Sequence, residues 1–242
     1  MPKLNIDLLN IFLMLLSGIF ALALPFQTFL IVYAFLGPLH YLTEINWLQQ
    51  HNYFLQNKKN VYYLFLPILI IGGVVYIPSL IELKPIIPFL IFFTLLVAIF
   101  NNFEEERIYK NWKFLFLTII GSITSFYFRN YFHSVFSIFF PTLIHVFVFT
   151  GIFMLSGFLK TKNKLSLVSF IFFILIAGFL LSFNWTNLII EKNIVSKYQS
   201  FEKLNQILLS VIGEDKSNIY VSNFGIRIMQ FIAFAYSYHY FN

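Results

Sequence analysis

The sequence predicts an all-α, polytopic transmembrane helical bundle. Of its 242 residues, 59% are hydrophobic and 11% are charged, whereas about a quarter of the residues in an ordinary soluble domain are charged. The apolar residues fall in long runs without the sustained two-residue alternation of membrane β-strands. High hydrophobicity excludes a disordered chain, and the lack of cysteine excludes a disulfide-stabilised secreted module.

Eight apolar runs predict membrane spans, because about 20 residues of helix cross about 30 Å of hydrocarbon. The first two runs are separated by Pro25, which favours a tight helical hairpin. The first run also resembles a secretory signal, but it is longer than the apolar region of most signals. The predicted spans are residues 8–24, 26–48, 61–80, 85–100, 112–128, 134–158, 165–183 and 219–242.

The positions of Lys and Arg predict a cytoplasmic N-terminus, because the cytoplasmic side of a membrane protein carries the excess of basic residues. The short connections on the opposite side contain only Lys84 and Arg129. The side that holds the N-terminus contains nine basic residues: Lys3, Lys58, Lys59, Arg107, Lys110, Lys113, Lys160, Lys162 and Lys164. We interpret the net charge of +6 as membrane-surface charge and predict the lipid bilayer, not nucleic acid, as the partner.

The connection 184–218 is predicted to lie outside the cytoplasm and to form an amphipathic surface helix. Its apolar residues recur near helical spacing between polar positions. They are Ile194, Tyr198, Phe201, Leu204, Ile207 and Leu208. The lack of a linker or an internal repeat predicts a single membrane domain over residues 1–242. No helix-ending signal follows Ala233, so we expect the natural chain to continue past Asn242.

Few ionisable side chains fall inside the predicted spans, and each is a candidate functional residue because charged groups cost about 2.5–3.5 kcal/mol there. The second span contains His40 and Glu44, the sixth contains His145, and the eighth contains Arg227 and His239. His40 and Glu44 are four residues apart and therefore share one helix face. They could form a structural hydrogen-bonded pair, a proton relay, or two ligands of one metal ion.

The second, sixth and eighth predicted spans all run inward, which places four of these residues in the middle-to-cytoplasmic half of the membrane. At 1.5 Å per residue, His145 lies about 16 Å below the outer surface, His40 about 20 Å, and Glu44 and His239 about 27–30 Å. Pro38 and Pro141 precede two of the histidines and predict local helix distortion there. We therefore predict a metal site formed by His40, Glu44, His145 and His239, with Glu44 also the catalytic residue.

The donor set restricts the chemistry of this predicted site. Three imidazoles and one carboxylate suit a divalent metal, with iron(II) favoured and zinc as the alternative. Ligation of a haem by His145 and His239 is less favoured, and the lack of cysteine excludes thiolate sites. The sequence contains neither a phosphate-binding glycine loop nor a GxSxG motif.

A small cysteine-free membrane protein with isolated histidines in separate spans resembles the bacterial Brp/Blh membrane family of beta-carotene 15,15'-dioxygenases. The resemblance implies that His40, His145 and His239 hold non-haem iron, with Glu44 in place of a further histidine. It also implies that the aromatic-lined interior receives the carotenoid, and that the protein lies in a bacterial inner membrane.

These features together predict a membrane-embedded, metal-dependent enzyme with oxygenase chemistry that acts on an apolar lipid, isoprenoid or carotenoid. One alternative is a transporter or another membrane protein in which His40 and Glu44 relay protons. The other is a non-enzymatic assembly partner in which buried polar residues only hold helices together. The sequence predicts no particular oligomeric state.

Overall fold

The computed structural model describes residues 6–50, 61–103, 110–183 and 190–241. Within these ranges the chain is helical and contains no β-strand, which confirms the all-α prediction. The chain divides into two compact units, unit 1 (Met1–Tyr41 and Pro141–Asn242) and unit 2 (Leu42–Phe140). The assignment of residues 1–242 to one domain stays a prediction.

The helices are joined mostly by short connections. The α-helices in the described residues are α1 (Ile6–Ala23), α2 (Pro25–Ile31), α3 (Gly37–Gln50), α4 (Val61–Tyr76), α5 (Ile87–Phe103), α6 (Trp112–Tyr127), α7 (Arg129–His133), α8 (Thr150–Thr161), α9 (Lys164–Ser182), α10 (Lys192–Tyr198), α11 (Lys203–Val211) and α12 (Asn223–Phe241). The π-helical segments Val32–Leu36 and Ser134–Phe149 lead into α3 and α8. Turns of 3₁₀-helix lie at Pro78–Ile86, Gln199–Phe201 and Lys216–Tyr220.

In the described residues, five helical stretches are long and apolar enough to cross a membrane. They match the first, second, fourth, sixth and seventh predicted spans, and they are Ile6–Ala23, Pro25–Trp47, Pro78–Asn101, Arg129–Thr161 and Lys164–Ser182. These helices are compatible with an integral membrane protein. The count of eight spans stays a prediction, as does the orientation, because Lys3, Lys58, Lys59 and Arg107 lie outside the described residues.

Local sequence signals explain where several of these helices begin. The side chain of Asn111 accepts hydrogen bonds from the backbone N–H groups of Lys113 and Phe114 and so caps α6. The side chain of Asn163 caps α9 by accepting from the N–H of Leu165. Pro25 occupies the first position of α2, where its missing N–H costs no intrahelical hydrogen bond.

Helix α12 forms the core of unit 1 and packs against α1, α2, α9 and α11. Most of its residues are buried, and Met229, Ala233, Phe234 and Tyr238 are fully enclosed. A helix that is covered on all sides belongs to a protein interior. The segment predicted as the eighth span is therefore the central helix of unit 1, and it fixes the position of His239 near its end.

Polar side chains of α12 satisfy backbone groups at the ends of neighbouring helices. The Gln230 amide donates to the Leu22 carbonyl at 3.0 Å, next to the break between α1 and α2. The Arg227 guanidinium donates to the Leu181 carbonyl at 3.2 Å, at the end of α9. Carbonyls in the last turn of a helix have no intrahelical donor. These hydrogen bonds therefore tie α12 to both neighbours.

The predicted amphipathic helix of the connection 184–218 is present as two shorter helices, α10 and α11, separated by the 3₁₀ turn Gln199–Phe201. Their apolar side packs on protein, because α10 contacts α2 and α11 contacts α12. Residues 184–189 of this connection lie outside the described residues, and its extracytoplasmic location stays a prediction.

A buried polar pair lies where α10 and α11 meet α12. The Tyr198 hydroxyl donates to Asn205 Oδ1 at 2.7 Å, and Asn205 Nδ2 lies 3.5 Å from Met229 Sδ. The Asn205 side chain is 0% exposed. Burial raises the pKa of the Tyr198 phenol well above its usual value, so the hydroxyl keeps its proton and remains a donor.

Unit 2 has a small core between α5 and α6, formed by Leu96, Val97 and Phe114. Phe92 of α5 packs directly over Gly121 of α6, where a Cβ atom would lie 2.0 Å from the nearest atom of the Phe92 ring. This glycine therefore allows the two helices to approach closely.

We predict that Gly225→Ala destabilises unit 1 by about 1–3 kcal/mol, the usual cost of overpacking. A Cβ atom at Gly225 would lie 2.5 Å from the carbonyl oxygens of Asn218 and Ile219, and these backbone atoms cannot turn aside. The matched control is Gly178→Ala in α9, where a Cβ atom meets nothing within 4 Å. Thermal unfolding in detergent measures both variants, and equal stability of the two would contradict the packing at the start of α12.

We predict that Asn205→Leu lowers the free energy of unfolding by about 1–3 kcal/mol, because it leaves the buried Tyr198 hydroxyl without its acceptor. In the double variant Asn205→Leu/Tyr198→Phe the unpaired hydroxyl is also removed, so we expect part of the lost free energy of unfolding to be recovered. A double-mutant cycle in detergent measures this coupling. Strictly additive effects of the two substitutions would argue against the pair.

Candidate functional site

Three of the predicted site residues come together in unit 1. His40 belongs to α3, His145 to the π-helical segment Ser134–Phe149, and His239 to α12. The ring centroids of His40 and His239 are 4.5 Å apart, and those of His145 and His239 are 5.0 Å apart. We call these three residues the histidine cluster. His239 lies within ring-contact distance of both other members, although all three are distant in sequence.

Two members of the cluster, His40 and His145, lie after or within a π-helical segment. The Gly37 N–H donates to the Val32 carbonyl five residues earlier, which makes a wide π turn directly before Pro38. Since proline has no N–H and clashes with the carbonyl four residues before it, a wider turn accommodates it. Pro141 lies inside the second π-helical segment, which carries His145. Both prolines therefore coincide with departures from α-helical geometry.

A threonine holds the ring of His239. Thr150 Oγ1 lies 2.9 Å from His239 Nδ1, and the same hydroxyl donates to the Val146 carbonyl at 2.8 Å. The other ring nitrogen, His239 Nε2, is buried and has no hydrogen-bond partner among the described residues. A buried polar atom without a partner is costly, and such atoms in native proteins call for a bound group or a functional role.

Aromatic rings surround the cluster. The ring centroid of Tyr240 is 5.3 Å from that of His40 and 5.5 Å from that of His239. Tyr41 lies 6.3 Å from His40, and Phe149 lies 6.1 Å from His145. Surroundings of this kind lower the local dielectric, which strengthens electrostatic interactions inside them.

Gly37 provides the space for Tyr240 beside the cluster. A Cβ atom at Gly37 would lie 3.4 Å from the Tyr240 ring, which is ordinary van der Waals contact. A larger side chain at this position would displace the ring that lies next to His40 and His239.

The ring separations of 4.5 and 5.0 Å are also those of ordinary aromatic packing, in which ring centroids lie about 4.5–7 Å apart. As the side chains stand, no three His, Cys, Asp or Glu residues within the described ranges could hold a metal ion. Coordination by the cluster therefore requires its rings to rotate about their side-chain torsions.

Glu44 lies one turn after His40 in α3 and belongs to unit 2. Its predicted roles as a metal ligand and as the catalytic residue stay predictions. His133 ends α7 as an exposed residue of unit 2.

Sequence reasoning did not identify Thr150 as part of the site. Its only signal is a hydroxyl five residues after His145, which corresponds to one π-helical turn. Threonines are common in membrane helices, where they bond to their own backbone, so this signal alone selects no residue.

No family model matches the chain, and no similar curated protein or solved structure was found. The resemblance to the Brp/Blh family therefore stays an expectation that rests on the residues alone. The geometry defines a helical protein in which three partly buried histidines lie close together.

Proposed function

We propose that this protein is a membrane-embedded, metal-dependent enzyme whose histidine cluster holds a divalent ion, with iron(II) favoured over zinc. The proposal rests on the close approach of the His40 and His145 rings to His239, whose Nε2 is buried and has no hydrogen-bond partner among the described residues. A buried polar atom without a partner is costly unless it binds a further group.

The donor set fits this choice of metal. Neutral imidazole is a common ligand of iron and zinc, and three nitrogen ligands leave coordination positions open. When bound, iron(II) supplies the binding and activation of oxygen at those positions. The proposed role of Glu44 as a further ligand rests only on its spacing of four residues from His40 in the sequence.

The surroundings of the cluster favour an apolar substrate. Tyr240, Tyr41 and Phe149 provide flat rings beside the imidazoles. Such a surface contacts the hydrocarbon of a lipid, isoprenoid or carotenoid and aligns it by packing. The long apolar helices allow a substrate of this kind to arrive from the bilayer.

Metal analysis of the detergent-purified protein tests the proposal. We expect near-stoichiometric iron or zinc in the wild type and at least a tenfold loss in His40→Ala, His145→Ala and His239→Ala, since each variant removes one nitrogen ligand. His133→Ala is the matched control, because His133 is exposed and lies in unit 2. Folded wild-type protein without metal would defeat the proposal, as would an equal loss in the control.

Activity separates the proposed enzyme from the alternatives. We expect oxygen consumption that depends on an added isoprenoid or carotenoid and disappears in His239→Ala. A Soret absorption band would indicate haem instead. Proton-coupled flux in a metal-free protein, lost in Glu44→Gln, would indicate a transporter.

A further inference from the structure

The geometry points to Thr150 as a positioning residue that holds His239 in the tautomer with its proton on Nδ1. In this tautomer Nε2 carries the lone pair and is the ring atom available to a ligand. The tautomer follows from contacts within unit 1 alone. Its consequence for metal binding rests on the proposed function.

The Thr150 hydroxyl can donate only one hydrogen bond. A threonine hydroxyl has a single proton, and the Val146 carbonyl can only accept a hydrogen bond. The separation of 2.8 Å between Thr150 Oγ1 and the Val146 oxygen is a normal O–H···O distance, so the hydroxyl proton lies in that contact. The proton between Thr150 Oγ1 and His239 Nδ1, 2.9 Å apart, must therefore come from the imidazole.

The reverse arrangement is unfavourable at the Val146 carbonyl. If Thr150 donated to His239 Nδ1, its oxygen would face the Val146 carbonyl oxygen at 2.8 Å with no proton between them. His239 Nε2 has no hydrogen-bond partner among the described residues in either tautomer. The contact with Val146 is therefore what favours the Nδ1–H tautomer.

Two members of this hydrogen-bonded group are buried. Thr150 is 4% exposed and Val146 is 2% exposed, which limits the access of water to the hydroxyl. Histidines that ligate metals commonly donate their second ring N–H to an oxygen atom, which fixes the ring and its tautomer. Thr150 supplies that oxygen to His239.

Nitrogen-15 NMR of histidine-labelled, metal-free protein in lipid bilayers tests the tautomer. The full chain has five histidines, and His239 is assigned by the signal that is lost in His239→Ala. At a pH of about 8, where an unperturbed histidine is neutral, we expect a protonated Nδ1 and a bare Nε2. A wild-type His239 with its proton on Nε2 would overturn the inference. This measurement uses the wild type and His239→Ala and requires no substitution of Thr150.

Substitution of Thr150 tests its role. Thr150→Val keeps the shape without the hydroxyl, and we expect the His239 proton to leave Nδ1, whereas Thr150→Ser retains the wild-type tautomer. The matched control is Thr118→Val, because Thr118 in α6 donates to the Phe114 carbonyl at 2.8 Å in the same way and lies in unit 2. An unchanged His239 signal in Thr150→Val would also overturn the inference.

Titration of the metal-free protein with zinc or iron(II) gives a second measurement. We expect a dissociation constant about 10–100-fold higher in Thr150→Val than in the wild type, and no such change in Thr150→Ser or Thr118→Val. A wild type that binds no metal but shows the Nδ1–H tautomer would defeat the proposed function and support the role of Thr150. If the wild type binds metal but Thr150→Val changes neither the tautomer nor the affinity, the proposed function is supported and the role of Thr150 is defeated.

Discussion

Each ring nitrogen of a histidine that is shielded from water needs a partner, because an unsatisfied buried polar atom is costly. In His239, Nδ1 lies 2.9 Å from Thr150 Oγ1. Nε2 is buried and has no hydrogen-bond partner among the described residues, and the His239 ring lies close to the rings of His40 and His145. Holding the ring in this place requires a fixed backbone, which α12 provides because it is covered by α1, α2, α9 and α11. The position of the candidate site is therefore a consequence of helix packing.

Part of this arrangement could be predicted from the sequence. The cost of ionisable groups in hydrocarbon singled out His40, His145 and His239, and their rings lie close together in unit 1. Pro38 and Pro141 indicated distorted helices; Pro38 directly follows a π turn, and Pro141 lies inside a π-helical segment. The direction of the spans, the depth of the histidines and the metal site stay predictions.

Other features could not be read from the sequence. A helix covered by lipid and a helix covered by protein can have the same hydropathy. Hydropathy therefore did not reveal that α12 is a core helix. Thr150 bonds to its own helix as many membrane threonines do, and only its contact with His239 distinguishes it. The break between α10 and α11 at Gln199–Phe201 lies within a stretch of near-helical apolar spacing, so periodicity alone did not reveal it.

X-ray absorption spectroscopy of the metal-loaded protein tests coordination by the histidine cluster most directly, because it measures the ligands of the ion itself. We expect imidazole scattering with about three nitrogen ligands at roughly 2.0–2.2 Å, which requires the rings of His40, His145 and His239 to turn toward one point. A spectrum with only oxygen ligands and no imidazole scattering would contradict it.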